Sequence, residues 1–322
     1  MNKRIAVIIP CYRVKKQILK VLGSIGDEVS QIVVVDDCCP EESGKYVEDC
    51  CDDPRVRVVF NSQNLGVGGA VMAGYRVAMD SKAEILVKID GDGQMDPAIL
   101  PRIVQPIIEG RADYTKGNRF YDLENIVRMP RVRIFGNAVL SFMCKMSTGY
   151  WHLFDPTNGY TAIDSRVASH LPLNRVSQRY FFETDMLFRL NTLRAVVVDV
   201  PMDPVYQDEQ SSLEVRKIIG EFFKGHARNF LKRIFYNYFL RDMSLASFEL
   251  VVGLALLLFG TIYGAIHWYA SIISGQAEPL GVIMLATLPI ISGLQFLLAF
   301  FSYDIAAVPD QPVSNFLQLK NQ

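Results

Sequence analysis

Short apolar runs alternate with helically spaced segments over most of the chain before residue 200. Uninterrupted apolar runs predict buried strands at residues 5–10, 31–35, 56–60, 84–89, 160–163 and 195–200. Apolar residues at helical spacing predict helices at residues 15–25, 66–79, 99–109 and 134–146, and a further helix that opens at 181–185 and ends near 193. Such alternation is typical of βαβ units. We therefore predict an α/β fold with a mostly parallel sheet and helices on both faces.

The last third of the chain has a different pattern, in which apolar residues dominate. Residues 212–240 interleave basic and aromatic side chains, which predicts an amphipathic helix at a membrane surface; a helix packed on the globular domain is the alternative. Residues 250–273 and 280–303 are each apolar over the roughly 20 residues that a membrane-spanning helix needs. The predicted organisation is a globular domain at 1–211, a juxtamembrane region at 212–246, two transmembrane helices at 247–304 and a tail at 305–322.

The distribution of basic residues predicts which side of the membrane each segment faces. The connection between the spans, residues 274–279, has no lysine or arginine, whereas the segment before the first span is rich in both. Positive charge stays on the cytoplasmic side, so we expect a multi-pass inner-membrane protein whose globular domain and C-terminus are cytoplasmic. The apolar run at residues 5–9 is too short for the core of a signal peptide.

Composition narrows the classes of partner. The chain has 33 Lys and Arg against 34 Asp and Glu, a net charge of −1, which gives no indication of a nucleic-acid partner. Its six cysteines include the adjacent pairs Cys38-Cys39 and Cys50-Cys51, whose spacing matches no zinc module. We expect reduced thiols, as in cytosolic proteins.

Polar residues follow four of the predicted strands at the point where each strand ends. They are Tyr12 with Arg13, Asp36-Asp37, Asn64, and Asp90-Gly91-Asp92. Because ligands of open α/β sheets bind beyond the C-terminal strand ends, we expect one shared site there. Carboxylates one residue apart suit a hard cation such as Mg2+ or Mn2+, and Gln94 could add a neutral oxygen. The alternative is a polar turn in which Asp96-Pro97 starts the next helix.

A dinucleotide site is the obvious rival for such a sheet. It requires a glycine-rich turn after the first strand, where this chain has Pro10-Cys11-Tyr12-Arg13. The glycines of residues 66–69 follow the third strand instead, which disfavours a dinucleotide-binding fold.

Several motifs together resemble those of the inverting family 2 glycosyltransferases, which have the GT-A fold. The matching segments are residues 8–12, 34–37, 64–66 with Ala70, and 90–94. Residues 117–120 and 155–159, together with the two spans, narrow the resemblance to the polyprenyl-phosphate glycosyltransferases. That group includes dolichol-phosphate mannose synthases and bacterial undecaprenyl-phosphate glucosyltransferases.

The resemblance implies a role for each site residue. The nucleotide sugar would be bound by Pro10, Tyr12, Asp36, Asp37, Asn64, Gly66 and Asp90, with Asp36 and Asp37 on the base and ribose. Asp90 and Asp92 would be catalytic, and Asp92 and Gln94 would hold the Mg2+ or Mn2+ ion at the diphosphate. The lipid phosphate would be bound by Arg119, Arg133 and Asn137. A homo-oligomer, with a tetramer as the expected state, is also implied.

Two positions depart from the family pattern. Arg13-Val14 stands where Asn-Glu is common, and Cys38-Cys39 stands where Gly-Ser is common. Both lie in the segments expected to recognise the base. The chemistry is unaffected, because a phosphate acceptor is already anionic and needs positioning by arginine more than it needs a strong general base. Surface charge is the alternative interpretation of Arg119 and Arg133.

Three other functions share parts of this pattern. A processive polysaccharide synthase would be expected to have a Gln-x-x-Arg-Trp motif, which Gln178-Arg179-Tyr180-Phe181 does not match. A transferase acting on a glycan or protein would use the spans only as an anchor, and a non-catalytic membrane adaptor could retain the fold. The sequence does not identify the sugar, and a uridine nucleotide is favoured over a guanosine nucleotide only by the bacterial resemblance.

Overall fold

The chain folds into two compact units. The computed structural model describes residues 3–121, 131–203 and 215–318, with the backbone alone at 131–133 and 215–219. One unit comprises Met1–Phe230 and Pro309–Gln322, and the other comprises Leu231–Val308. The first part of the predicted juxtamembrane region and most of the tail thus belong with the globular unit. The predicted four-segment division stays a prediction.

A seven-stranded sheet forms the centre of the first unit. Its strands are β1 (Ile5–Cys11), β2 (Val29–Asp36), β3 (Val56–Phe60), β4 (Ile85–Lys88), β5 (Tyr114–Asn118), β6 (Thr161–Asp164) and β7 (Val197–Pro201). They lie in the order β3-β2-β1-β4-β6-β5-β7. Strand β6 runs antiparallel to both neighbours, and the other pairs are parallel. The predicted mostly parallel α/β sheet is confirmed.

Helices alternate with the strands as predicted, and the last of them ends in the second unit. They are α1 (Ile18–Gly23), α2 (Ser43–Cys50), α3 (Gly66–Asp80), α4 (Leu100–Ile108), α5 (Arg131–Thr148), α6 (Ser165–His170), α7 (Phe182–Thr192) and α8 (Val215–Phe235). Helix α1 is shorter than the predicted 15–25, because the residues before it form turns in which Gln17 and Ile18 both donate to the Val14 carbonyl.

The core lies where the sequence is most apolar. Ile8, Val34 and Val87 of the three central strands are fully buried. A side chain at Gly74 of α3 would collide with Ile8, so glycine lets this helix approach the sheet closely. The rigid sheet that results fixes the positions of the loops at its edge.

The C-terminal tail is part of the first unit. The Asp113 carboxylate is fully buried and accepts hydrogen bonds from three backbone N–H groups: Val196 (2.7 Å), Val313 (2.9 Å) and Ser314 (2.8 Å). Because buried carboxylates are costly unless they are hydrogen-bonded, these contacts attach the tail to the loop before β5.

Two long apolar helices make up most of the second unit. Helix α9 spans Leu245–Ser274 and α10 spans Leu280–Ala306, with mean hydropathies of 2.2 and 2.1 in their most apolar windows. Only 22% and 11% of those windows are buried. The helices approach closely at Gly253 and Gly293, where a Cβ at Gly293 would lie 2.8 Å from the Gly253 carbonyl oxygen. Both have the length and composition of helices that cross a membrane.

A buried ion pair lies within the second unit. Arg233 donates two hydrogen bonds to Asp304, of 2.5 and 3.0 Å, and both side chains are 2% exposed. The Tyr238 hydroxyl, in a π-helical turn at Tyr236–Arg241, donates to the same carboxylate over 2.6 Å. The pair joins the end of α8 to the end of α10.

Candidate active site

The predicted site residues gather at one edge of the sheet. Strands β1, β2 and β4 run in parallel, so their C-terminal ends share that edge. Strand β6 runs the opposite way and pairs Thr161, its first residue, with Lys88 at the end of β4. The 155–159 turn therefore precedes β6 at the same edge. Asn118 at the end of β5 also lies there, since β5 is antiparallel to β6.

Asp36 at the end of β2 has a buried carboxylate that shapes the loop after the strand. Its two oxygens accept the backbone N–H groups of Cys39 (2.7 Å) and Gly44 (2.6 Å). These bonds fix the path of the chain into α2. Contact between Asp36 and a nucleotide stays a prediction.

Asp37 holds the next loop in the same way. It accepts the backbone N–H groups of Leu65 (2.9 Å) and Gly66 (2.6 Å) and the side-chain amide of Asn61 (2.8 Å). Asn64, which the sequence singles out, is exposed instead. The order of this loop therefore depends on Asn61, which sequence reasoning missed, and nucleotide binding by Asp37 and Asn64 stays a prediction.

The two departures from the family pattern contact each other. The backbone N–H of Arg13, after β1, donates to Cys39 Sγ over 3.1 Å, and Ser43 Oγ lies 3.2 Å from the same sulfur. Burial opposes ionisation of the Cys39 thiol, but the hydrogen bonds from Ser43 and Arg13 outweigh it and lower the pKa of the thiol. The guanidinium of Arg13 lies 5.4 Å from the ring centre of Tyr12. Arg13 and Cys39, which depart from the family pattern, thus lie together at the predicted base site.

The remaining predicted nucleotide residues border this cluster. Pro10 is half-buried in β1, and Tyr12 is 41% exposed. Gly66 begins α3 with a φ of +79°, a conformation that favours glycine. The Gly68 N–H, in the first turn of that helix, donates to the Gln178 carbonyl over 2.8 Å. One of the N–H groups at the N-terminus of α3 is thus already hydrogen-bonded within the protein.

The Asp90-Gly91-Asp92 turn lies one residue beyond β4 and carries the predicted metal ligands. Asp92 is half-buried and accepts the backbone N–H of Gln94 over 2.9 Å, and Gly93 has a φ of +77°. Within the described ranges, no group of three or more histidine, cysteine or acidic residues could hold a metal. Asp92 and the half-buried Gln94 offer oxygen donors that suit Mg2+ or Mn2+, provided that a bound diphosphate and water supply the other ligands. The oxygen atoms of Asp92 and Gln94 therefore suit a divalent ion that also binds a diphosphate and water.

Lys88, the last residue of β4, was not predicted to belong to the site. It is 1% exposed, and its ammonium lies 2.9 Å from Asp90 Oδ1 and 3.5 Å from Glu183 Oε1. Burial opposes the charge, but Asp90 and Glu183 outweigh it and raise the pKa of Lys88, so the amine is charged at neutral pH. The sequence contained a signal, namely a lysine inside the apolar run at 84–89.

Glu183 and Asp185, in the first turn of α7, have different environments. Asp185 is 1% exposed and accepts hydrogen bonds from the Ser177 backbone, Arg189 and Asn229. It thereby organises the loop that precedes α7 and the middle of α8. Glu183 instead points to Lys88, so it belongs to the site.

Arg119 lies at the opposite side of the edge and is held by Asp155. Its Nε and Nη2 atoms each donate to Asp155 over 2.8 Å, and the Asp155 side chain is 1% exposed. Asn158 donates to the same carboxylate over 3.2 Å. Arg133 belongs to α5, but its side chain lies outside the described residues; Asn137, one turn later, is half-exposed.

The 155–159 turn joins the two sides of the site. Asp155 opens it and binds Arg119, while Gly159 closes it against Lys88 and Asp90. A Cβ at Gly159 would overlap the Lys88 ammonium and lie 2.8 Å from Asp90 Oδ2. The Asp90 carboxylate and the Arg119 guanidinium therefore lie at the two ends of one five-residue turn.

Sequence comparison identifies the class to which this fold and site belong. Residues 6–171 match the family described as glycosyl transferase family 2. The chain belongs to that family. The match covers every strand from β1 to β6 and both Asp-Gly-Asp and the 155–159 turn.

Individual relatives specify the class further. The chain is 31% identical over 222 residues to an undecaprenyl-phosphate mannosyltransferase of Micrococcus luteus, covering 68% of this chain and 90% of the relative. It is 26% identical to a UDP-N-acetylglucosamine–dolichyl-phosphate N-acetylglucosaminyltransferase of Methanococcus voltae, covering 68% and 92%. A polyprenol monophosphomannose synthase of Mycolicibacterium smegmatis is 28% identical, with 62% and 77% covered. The chain is thus homologous to polyprenyl-phosphate sugar transferases.

Solved structures agree on the fold. A glucosyl-3-phosphoglycerate synthase of Mycobacterium tuberculosis, crystallised with Mn2+, uridine diphosphate and glucosyl-3-phosphoglycerate, superposes with a TM-score of 0.53 at 18% identity. The match covers 72% of this chain and 80% of that structure. The predicted GT-A fold is confirmed.

Proposed function

We propose that this protein is a membrane-anchored, metal-dependent, inverting transferase that moves a sugar from a nucleotide sugar to polyprenyl phosphate. A phosphate oxygen of the acceptor attacks the anomeric carbon and forms the new C–O bond. The bond from that carbon to the nucleoside diphosphate breaks, and the diphosphate leaves with the electron pair. The product is a polyprenyl-phosphate-linked monosaccharide that serves glycan modification of the cell envelope.

The 155–159 turn is the observation that carries this proposal. It lies against Asp90, which follows the strand where a nucleotide diphosphate is expected, and it fixes Arg119, whose positive charge and partly exposed guanidinium suit a phosphate. A carboxylate expected at the donor and an arginine expected at the acceptor, both in contact with one turn, match a reaction in which both substrates are phosphate compounds.

The acceptor side also offers an apolar surface. Helix α5, which carries Arg133 and Asn137, exposes Phe135 (73%), Val139 (43%) and Phe142 (58%) along one face. Exposed apolar side chains at this spacing are typical of a surface that meets a lipid or another partner. An isoprenoid chain attached to the phosphate would supply that partner.

A divalent ion at Asp92 and Gln94 would stabilise the negative charge that develops on the leaving diphosphate. Asp92 would supply the charged protein ligand, and the Gln94 backbone holds the Asp92 carboxylate in place. We propose Mg2+ or Mn2+ without preference, since both take oxygen ligands. A structure that shares the fold was crystallised with Mn2+, which supports a divalent ion at this site.

Membrane attachment is supported by the exposure pattern of α8. The helix buries the polar residues His226, Asn229 and Arg233, and it exposes Leu231 (67%) and Phe235 (58%). It also exposes Lys224, Arg228 and Lys232, and a surface that mixes basic and apolar side chains suits the interface of a membrane. Helices α9 and α10 have the length and composition of two membrane-spanning helices.

The donor, the acceptor, the location and the assembly are proposed from the resemblance to the polyprenyl-phosphate glycosyltransferases. We propose a uridine diphosphate sugar as donor, undecaprenyl phosphate as acceptor, the inner membrane as the location with the catalytic domain in the cytoplasm, and a homotetramer as the assembly. Base and ribose would bind near Pro10, Tyr12, Asp36, Asp37, Asn64 and Gly66, and the lipid phosphate near Arg119, Arg133 and Asn137.

A labelling experiment tests the function. Membranes containing the protein are incubated with undecaprenyl phosphate, Mg2+ or Mn2+, and each of a panel of radiolabelled UDP- and GDP-sugars. We expect label in the lipid phase for one donor, and none with the Asp92→Asn variant or with undecaprenol that lacks the phosphate. Transfer to a glycan or protein, with none to the lipid phosphate, would overturn the proposed acceptor.

A further inference from the structure

The buried ammonium of Lys88 meets three parts of the site at one point. It lies 2.9 Å from Asp90 Oδ1 and 3.5 Å from Glu183 Oε1, and Gly159 leaves the space in which its tip sits. These partners come from the turn after β4, the start of α7 and the end of the 155–159 turn. A single side chain therefore connects elements that are far apart in sequence.

The Asp90 carboxylate is consequently bound through one oxygen. Oδ1 is bound by Lys88, and Oδ2 faces the place where Gly159 has no side chain. Asp92, two residues later, is oriented by the Gln94 backbone instead. The two carboxylates of the Asp-Gly-Asp turn thus have different partners, although their spacing in the sequence suggests equivalent roles.

We propose that Lys88 is a positioning residue that binds Asp90 and so keeps this carboxylate out of the metal's coordination shell, which leaves Asp92 as the charged protein ligand. The inference rests on the proposed function only in assuming a divalent ion at the diphosphate. Glu183 is the second partner of Lys88 and limits where its ammonium can move.

Loss of the Lys88 ammonium should change metal affinity and turnover in opposite directions. Removing the ammonium would release Asp90, and the repulsion between Asp90 and Glu183 would favour its movement toward the cation. A second carboxylate near the ion, together with the loss of a positive charge, strengthens cation binding. Metal affinity should therefore rise while turnover falls, whereas a purely structural lysine would weaken both or leave metal binding unchanged.

The test measures Mn2+ binding to the purified full-length chain by electron paramagnetic resonance, with Mn2+ alone and with uridine or guanosine diphosphate added. We expect Lys88→Met to bind Mn2+ about tenfold more tightly than the wild type, a change of about 1.4 kcal/mol. Lys88→Arg should stay near the wild-type affinity, because it retains the charge. The thermal unfolding temperature of each variant establishes that it is folded.

A matched control comes from the other buried lysine of the sheet. Lys116 is 1% exposed, and its ammonium lies 2.9 Å from Asp199. Lys116→Met should lose stability in the same way and keep the wild-type Mn2+ affinity. Tighter Mn2+ binding by this control as well would overturn the assignment to Lys88.

A second variant separates positioning from a simple charge effect. In the Asp90→Asn background, Lys88→Met should bring no gain in Mn2+ affinity, since there is no carboxylate to release. A gain that persists there, or unchanged or weaker binding by folded Lys88→Met, would overturn the proposal. If Lys88→Met does not fold, Gly159→Ala takes its place: its Cβ would overlap the Lys88 ammonium, which must then move and release Asp90. Mn2+ affinity should rise, and no rise would overturn the proposal.

These measurements do not depend on the acceptor or the sugar. A protein that fails to transfer sugar to any polyprenyl phosphate can still be titrated with Mn2+. Failure of the proposed function would therefore appear in the lipid-labelling experiment, and failure of the inference about Lys88 would appear in the binding curves.

Discussion

Arg119 is held by Asp155 through two parallel hydrogen bonds of 2.8 Å, from Nε and Nη2 to the two carboxylate oxygens. The Arg119 side chain is 32% exposed while that of Asp155 is 1% exposed. Burial opposes ionisation of Asp155, but the hydrogen bonds and charge of Arg119 outweigh it and lower the pKa of the carboxyl. Asp155 thus holds the partly exposed arginine in one orientation.

Arg119→Ala should impair use of the lipid acceptor. Losing a charge-assisted contact costs about 1.5–3 kcal/mol, so we expect roughly a tenfold to hundredfold loss of kcat/KM for polyprenyl phosphate. The KM for the nucleotide sugar should change far less, because the donor side is untouched. Arg119→Lys should rescue only in part, since a point charge does not reproduce the guanidinium fork.

A matched control for Arg119 lies at the opposite end of β6. Arg166 also binds a buried aspartate in two-pronged fashion, with bonds of 2.9 and 2.7 Å to Asp164, and its side chain is 33% exposed. Arg166→Ala should leave the acceptor KM unchanged. An Arg119→Ala enzyme with weakened donor binding and a normal lipid KM would mean that Arg119 serves the diphosphate.

Asp92→Asn should abolish transfer while leaving the fold intact. The change removes the charged oxygen ligand at the diphosphate but keeps the shape of the side chain. Asp96 is the matched control, because it is exposed and caps the following turn by accepting the Ala98 N–H over 2.9 Å. Asparagine caps as well as aspartate, so Asp96→Asn should retain activity within about twofold. Wild-type turnover by Asp92→Asn, or full activity in excess EDTA, would contradict the assignment.

Acidification should destabilise the protein through His226. This side chain lies 2.8 Å from Ser147 Oγ and packs on the rings of Phe181 and Phe222, and burial lowers its pKa to about 4. An unfolded histidine titrates near pH 6.5, so between about pH 6.5 and 4 the unfolded chain binds a proton that the folded chain does not. The free energy of unfolding is then fully retained above pH 6.5 and falls by at most about 3 kcal/mol toward pH 4.

Thermal unfolding of the detergent-solubilised protein between pH 7 and pH 4.5 measures this loss. His226→Asn should be less stable at neutral pH but should lose less on acidification. The half-exposed His170 provides the control, and His170→Asn should keep the wild-type pH dependence. Equal acid sensitivity of His226→Asn and the wild type would assign the effect to other groups.

The proposed topology places only the connection between α9 and α10 outside the cytoplasm. Gln276 is exposed in that connection, so a cysteine introduced there by Gln276→Cys should react with an impermeant thiol reagent in intact cells. Cys38 and Cys50 are exposed in the first unit and serve as internal controls that should react only after permeabilisation. Labelling of these native cysteines in intact cells would reverse the orientation.

The fold could be predicted largely because the central strands β1 and β4 and most of β2 are buried on both faces. Continuous apolar runs such as 31–35 identify central strands even without periodicity. Helix α2 escaped prediction because it buries Ser43 and Gly44 beside one apolar residue, Val47, and so has no apolar stripe to detect. Helix α6 is a six-residue segment, too short for a helical period to stand out.

The site was predicted only as far as strand ends determine it. Parallel strands bring their C-terminal residues to one edge, which located Asp37 and Asp90. Pairings across the chain were not accessible, because Lys88 and Glu183 are 95 positions apart and nothing local to either indicates the other. Asp155 likewise appeared as part of a turn, and its role in orienting Arg119 emerged only from three-dimensional contacts.

The contact of Asp113 with Val313 and Ser314 has a consequence for how the protein is made. A ribosome completes all seven strands long before it reaches residue 309, yet two of the three backbone groups that satisfy Asp113 lie beyond that point. During synthesis, the Asp113 carboxylate therefore cannot accept hydrogen bonds from Val313 and Ser314 until both apolar helices have left the ribosome. A soluble fragment that ends before the first of these helices would leave a buried charge with one donor, so the globular unit matures only together with the hydrophobic hairpin inserted into its sequence.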